Sequence, residues 1–219
     1  MDFIDYCKNG DINSIKQMSL EGYDLDLGFR WACIYGHINI VKYLCELYKT
    51  GDYIKINIHA ENELGFRSAC YHGHYDIVRY LCELYKTGDY IIINIHADTE
   101  DGFRLACWRG HYDIVRYLCE LYKTGDYIII NIHADTEDGF RLACYFGHYD
   151  IVKYLCELYK TGDYNIIDIH AYNEWGFRYA CYYRHINIIL YLMTLYKKHK
   201  YKPIHNFIRI FKKIDKYLI

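Results

Sequence analysis

Hydrophobic and polar positions along this chain follow a pattern that returns every 37 residues. A Gly-Phe-Arg triplet marks each return, with its glycine at Gly28, Gly65, Gly102, Gly139 and Gly176. Within the unit that opens at Gly102, Phe103, Ala106 and Cys107 share one face at helical spacing, which predicts a short first helix ending near Trp108. Gly110 in "RGH" predicts a tight turn. Ile114, Val115, Leu118, Cys119 and Tyr122 then form a second stripe of helical period, predicting a helix over 112–123. Asp113 in its first turn and Lys123 in its last complement the helix dipole, and Gly125 predicts its stop. The β-branched run in "DYIIINIHADTED" predicts an extended return to the next unit.

A helix pair of this size cannot bury its own stripe, whereas stacked copies bury both sides. A repeat of this length therefore predicts an all-α solenoid of helix-turn-helix units. The N-terminus aligns with the first full unit, Phe3 with Phe29, Cys7 with Cys33, Gly10 with Gly36, Lys16 with Lys42 and Met18 with Leu44. It is read as a shortened capping unit over 1–27, with Asp5, Lys8 and Asn9 on its exposed face. Repeats follow at 28–64, 65–101, 102–138, 139–175 and 176–202. A helical stripe of Ile204, Phe207, Ile208, Phe211, Ile214 and Leu218 is expected to cap the far end, over 203–219.

The phrase "ACxxGHxxIVxYL" resembles the core of the ankyrin repeat, and the resemblance extends to about Leu195. Two features depart from that family's pattern. Asp-Gly-Phe-Arg and similar tetrads replace its Thr-Pro-Leu-His signature, and the unit is longer than usual by about one turn, here placed at the end of the second helix. The phrasing "RxA…GH…VKYL…NIHA" is similar to ankyrin proteins encoded by giant viruses of amoebae. The resemblance implies a non-enzymatic protein-interaction scaffold or adaptor with a concave binding face, protein partners and no cofactor.

Charge and cysteines narrow the reading further. From Lys197 onward, eight basic residues against Asp215 give +7, leaving −9 for the remainder of a chain whose net charge is −2. An acidic body with a basic tail argues against general nucleic-acid binding along the whole surface, and none is expected. The basic end admits three readings: a cap with a solvated face, an amphipathic helix on an anionic membrane, or a recruitment element resembling the F-box-like ends of some viral ankyrin proteins. With that exception no membrane contact is expected. No apolar run approaches a membrane span, the acidic start does not read as a secretory signal, and a cytoplasmic monomer is expected. Cys33/Cys45, Cys70/Cys82, Cys107/Cys119 and Cys144/Cys156 recur in two apolar slots without any CxxC, which predicts reduced core thiols.

Three ladders of polar residues recur. Those of His37, His74, His111, His148, His185 and of His59, His96, His133, His170 do not converge on a point, so a structural brace is favoured over a metal site or catalysis. Arg30, Arg67, Arg104, Arg141 and Arg178 follow acids such as Glu100 and Asp101. They read as an internal ion-pair or carbonyl-bracing ladder, or alternatively as an anion-binding groove. Positions that differ between copies are the candidates for recognition: Tyr35, Tyr71 with His72, Trp108 with Arg109, Tyr145 with Phe146, Tyr182 with Tyr183, and at the start of the helix Trp31, Trp175 and Tyr179. Aromatic rings and arginine are what interface hot spots favour; drift on a tyrosine-rich surface is the alternative. Finally, Arg184 stands where four units write glycine before the turn histidine, and a left-handed residue is expected there.

Overall fold

A computed structural model describes residues 2–50 and 55–198. Twelve helices make up its regular structure, paired in sequence along a stack. The first helices are α1 (Phe3–Asn9), α3 (Leu25–Tyr35), α5 (Ala60–His72), α7 (Ala97–Arg109), α9 (Ala134–Phe146) and α11 (Ala171–Tyr182). The second helices are α2 (Ile12–Gln17), α4 (Ile38–Glu46), α6 (Tyr75–Glu83), α8 (Tyr112–Glu120), α10 (Tyr149–Glu157) and α12 (Ile186–Lys198). Each first helix packs on the first helix of the next unit more closely than the second helices pack on one another, which curves the stack with the first helices inside. The expected C-terminal capping helix lies outside the described residues.

The Gly-Phe pair of the triplet is explained by this stacking. Phe3, Phe29, Phe66, Phe103, Phe140 and Phe177 are all at most 2% exposed and form a column through the stack. The glycine of each following unit lies against the preceding ring: a Cβ on Gly102 would stand 2.8 Å from Phe66, and one on Gly28 would stand 2.4 Å from Phe3. Only a residue without a side chain permits that approach. The repeat cysteines fill the space beside the column as free thiols, buried in every case except the half-buried Cys181.

Three expectations about the elements change. First, the first helix begins earlier than Gly102 and begins unusually. After His96, residues Asp98, Thr99 and Glu100 take left-handed backbone angles (φ 56 to 58°) before the right-handed helix proper. The same turn recurs at 61–63, 135–137 and 172–174, but not in α3, where Asp24 instead caps the helix by accepting from the Leu27 N–H at 2.9 Å. Second, the added turn is not α-helical: residues 121–124 form a 3₁₀ turn that Thr124 closes by donating its hydroxyl to the Leu121 carbonyl, 2.9 Å away. Third, the capping unit's polar residues are not simply solvated. Asp5 completes a capping box with Asp2, while Lys8 lies over Trp31 and only Asn9 is exposed.

The extended return behaves as expected without forming a strand among the described residues. It buries alternate residues, Ile93 and Ile95 in one unit and Ile130 and Ile132 in the next, and its tyrosine reaches back across the stack. Tyr127 donates to the Cys82 carbonyl at 2.8 Å, and Tyr90 and Tyr164 make the same bond to Cys45 and Cys119. Satisfying that hydroxyl is what lets a tyrosine occupy a largely apolar slot.

Candidate functional site

The polar ladders are resolved by where each side chain ends. The turn histidines donate through Nε2 to a carbonyl of the preceding unit's first helix: His111 to Tyr71 and His148 to Trp108, both at 2.9 Å. Burial lowers the basicity of both rings, so each stays neutral with its proton on the bonded nitrogen. These rings also lie on the turn glycines of the unit before. A Cβ on Gly110 would meet His148 at 2.5 Å, and Gly110 has φ +81°. Two independent constraints thus select glycine there. Arg184 adopts the same left-handed conformation, φ 61°, and no turn histidine packs on it among the described residues.

Sequence reasoning did not pair the second histidine ladder with its acid. His96 donates through Nδ1 to Glu100 at 2.9 Å, and the same carboxylate accepts from the Asn131 N–H of the next unit. Glu137 does the same for His133 and the Asp168 N–H, at 2.9 and 3.0 Å. Glu63, Glu100, Glu137 and Glu174 are the buried acids among the described residues, each closing its left-handed turn. Three consecutive left-handed residues cost roughly 1–2 kcal/mol each. At Glu63, Glu100 and Glu137 the buried carboxylate accepts from two units at once, which offsets part of that cost. The recurring His-x-x-x-Glu spacing was the available signal. In the first full unit Asp26 serves instead, accepting from the Asn57 N–H at 2.8 Å.

From Arg30 to Arg104 the arginine ladder is internal bracing, with partners one unit further along than the nearby acids implied. Arg67 pairs with Asp98 and with Asp101, the latter at 2.9 Å. Arg104 pairs with Asp135 at 3.7 Å and Asp138 at 3.0 Å, and Arg30 with Glu61. Arg67 and Arg104 also donate to carbonyls of their own left-handed turns, Glu61 and Thr99. At Arg141 the pattern changes. The two acid slots ahead of it hold Tyr172 and Trp175, and the guanidinium lies over both rings at 4.8 and 5.4 Å while pairing back to Asp138 at 3.0 Å. Arg178 is exposed and has no acidic partner among the described residues.

The residues that differ between copies all lie on or just after the first helices, at matching heights along the inner face. Trp31 stacks on Tyr35 (centroids 5.9 Å) under the Lys8 ammonium, 4.3 Å away. Tyr71 touches both His72 and Trp108, with Arg109 4.9 Å above its ring. Trp108 meets Phe146 at 5.9 Å. Tyr145 is the hub: Phe146, Trp175, Tyr179 and Tyr183 all lie within 5.4 Å of it, and its hydroxyl shares a 2.7 Å hydrogen bond with that of Tyr183. That bond, with burial second, pushes the Tyr183 hydroxyl up to about 12. Tyr182 completes the cluster 4.9 Å from Tyr183 and is 75% exposed. Two open grooves flank the hub. One, of about 460 Å³, lies over Leu105, Trp108, Leu142 and Trp175; the other, of about 490 Å³, lies between Tyr145, Arg178, Tyr179 and Tyr182.

Among the described residues no group of three or more His, Cys, Asp or Glu side chains is placed to hold a metal ion, and no helix is long and apolar enough to cross a membrane. Compared with known proteins, residues 3–94 match the family model of ankyrin repeats in three copies. No curated protein matches the chain. Helix pairs and turn histidines of the same geometry continue beyond that segment to residue 198, with Arg184 in the last turn's glycine slot, and the fold is an all-α solenoid of ankyrin repeats. Such repeats in general mediate protein–protein interaction without catalysis.

Proposed function

We propose that this protein is a non-enzymatic scaffold or adaptor that binds partner proteins through the inner face of its stack. The observation that carries the reading is the run of half-exposed rings from Tyr71 through Trp108 and Tyr145 to Tyr183, with open grooves on both sides of the hub. Large rings held in place by neighbouring rings lose little conformational freedom on binding, which is the property of a hot spot. The pairs that would need to be shared by every unit for packing, such as Phe103 and Ala106, are fully buried; the rings proposed for recognition are not.

Partner capture from cell lysate, followed by titration of the captured protein, tests this. Trp108→Ala combined with Tyr145→Ala is expected to weaken binding by about 2 kcal/mol or more. Loss of ring contacts lowers the melting temperature somewhat as well, so affinity is measured well below it. Unchanged affinity removes these rings from the interface. Kinship with proteins of giant viruses, and recruitment of a ubiquitin-ligase complex by the basic end, belong to this proposal as its finer parts. They rest on phrasing and on a segment outside the described residues. Capture with and without residues 200–219 separates a plain adaptor from a recruiting one: ligase components lost on truncation favour the latter.

A further inference from the structure

We propose that the C-terminal end of the inner face, around Trp175, Arg178 and Tyr182, selects an acidic segment of a partner protein. The inference rests on the inner-face reading and deepens it. Its basis is a one-for-one exchange in the arginine ladder. Earlier in the stack, the slots 31 and 34 residues ahead of an arginine hold acids: Asp98 and Asp101 for Arg67, Asp135 and Asp138 for Arg104. Those guanidinium charges are neutralised inside the protein. Ahead of Arg141 the same slots hold Tyr172 and Trp175, so two negative charges are replaced by two ring faces. Arg178, one step further, stands exposed in the groove beside Tyr179 and Tyr182 without an acid among the described residues.

The carboxylates nearest this end are already committed. Asp138 is bound by Arg104 and Arg141, and Glu174 is buried on His170 at 3.0 Å. What remains is a cationic group, hydroxyl donors and flat apolar surface side by side. A glutamate or aspartate on Arg178 gains a planar pair of donors, and an apolar neighbour in the same segment fits the adjoining groove over Leu142 and Trp175. Single-stranded nucleic acid, which also stacks on rings, fits less well. It needs a line of cations tracking successive phosphates, and the other ladder arginines on this face are paired with acids.

The test uses the full chain and three fluorescein-labelled peptides of one design, each with two leucines and a phenylalanine at fixed positions. The intervening residues are all glutamate, all glutamine or all lysine, and a thymidine oligonucleotide of equal length is a fourth probe. By anisotropy, the glutamate peptide is expected to bind at least tenfold tighter than the glutamine peptide, the lysine peptide weakest, with added salt narrowing the gap. Arg178→Gln is expected to remove most of that preference while leaving the glutamine peptide unchanged. Trp175→Asp, which restores the ladder's acid, is expected to weaken the glutamate peptide as well; circular dichroism melts confirm that both variants fold. A preference that survives Arg178→Gln belongs elsewhere, such as the basic end, and overturns the proposal, as does tighter binding of the oligonucleotide. Equal binding of the three peptides overturns the acidic preference yet leaves the inner-face reading standing if Trp108→Ala with Tyr145→Ala still abolishes it. Binding by no peptide also overturns the proposal, and partner capture then decides the inner-face reading separately.

Discussion

The interface between the units of α5 and α7 and that between the units of α9 and α11 share one backbone arrangement and differ in what fills it. In the first, Arg67 is 14% exposed and tied to Asp98 and Asp101 of the next unit. In the second, Arg141 is equally covered, but by Tyr172 and Trp175. Both solutions join the units. The ion pairs consume their charges and present little to a partner, whereas the rings keep exposed faces, and the next arginine, Arg178, has no acidic partner among the described residues. A repeat protein can therefore exchange an ion-paired slot for an aromatic one by substitution alone, without moving the backbone. The turns tell the same story: Gly110 is confined by a histidine of the next unit, while Arg184 has no such neighbour among the described residues.

The largest expected effect concerns all interfaces at once. Burial pushes the thiols of Cys7 and Cys45 up to about 12 from 9.0, and drives Cys70, Cys107 and Cys144 well above their ordinary value. The folded state holds these protons more tightly than the unfolded chain. Their contribution is therefore fully present below pH 9 and is lost as pH rises towards and through the folded values. Each such group removes about 1.4 kcal/mol per pH unit. Melting temperature is expected to be flat from pH 7 to 8.5 and to fall steeply between 9 and 12; a flat profile to pH 11 would contradict the burial of these thiols.

Next comes the contrast between turns. Gly110→Arg is expected to cost about 3 kcal/mol, from left-handed strain together with the collision with His148. Arg184→Gly is expected to do the opposite, adding about 1 kcal/mol and slowing amide exchange over 179–195. If Arg184→Gly destabilises, Arg184 makes a contact that outweighs its strain. Of similar size to the first arm is Glu137→Ala, expected to cost about 3 kcal/mol because it leaves the His133 Nδ1–H and the Asp168 N–H without their acceptor. A loss below about 1 kcal/mol, measured by urea denaturation, would mean that the left-handed turn holds without its carboxylate. The smallest effect is kinetic. Cys181 is the half-buried thiol of the last unit, pushed up to about 12 by burial. It is expected to be labelled first by a thiol reagent in the native protein, with the remaining cysteines following only on unfolding. Simultaneous labelling of Cys107 and Cys181 would remove the difference between middle and end.

Much of the architecture was legible because repetition repeats its evidence. A stripe seen once is ambiguous, but the same stripe at Ile77, Ile114 and Ile151, each opened by a Gly-His turn, leaves one reading. The strip proposed for recognition was legible in part, since positions that vary against a fixed background can be listed without coordinates. Its contact geometry was not: nothing in the spacing says that Tyr145 touches Trp175, Tyr179 and Tyr183 together, because those contacts arise from the offset between stacked helices. The left-handed turn escaped for a different reason. Asp-Thr-Glu reads as an ordinary acidic start to a helix, and its conformation depends on a carboxylate satisfied from a neighbouring unit.

The sequence by itself determined the period, the helix pairs, the apolar face that carries Phe103, Ala106 and Cys107, and the left-handed turn written with glycine, because each follows from local sterics or from the amphipathic spacing of one unit. Tertiary structure alone decided which acid meets which arginine, and that the turn histidines reach backward to Tyr71 and Trp108. It alone also decided that the last interface is built from rings over a guanidinium. Those outcomes depend on the rotation and rise between neighbouring units, which bring residues 31 to 40 positions apart within hydrogen-bonding reach. No property of a single unit contains that displacement.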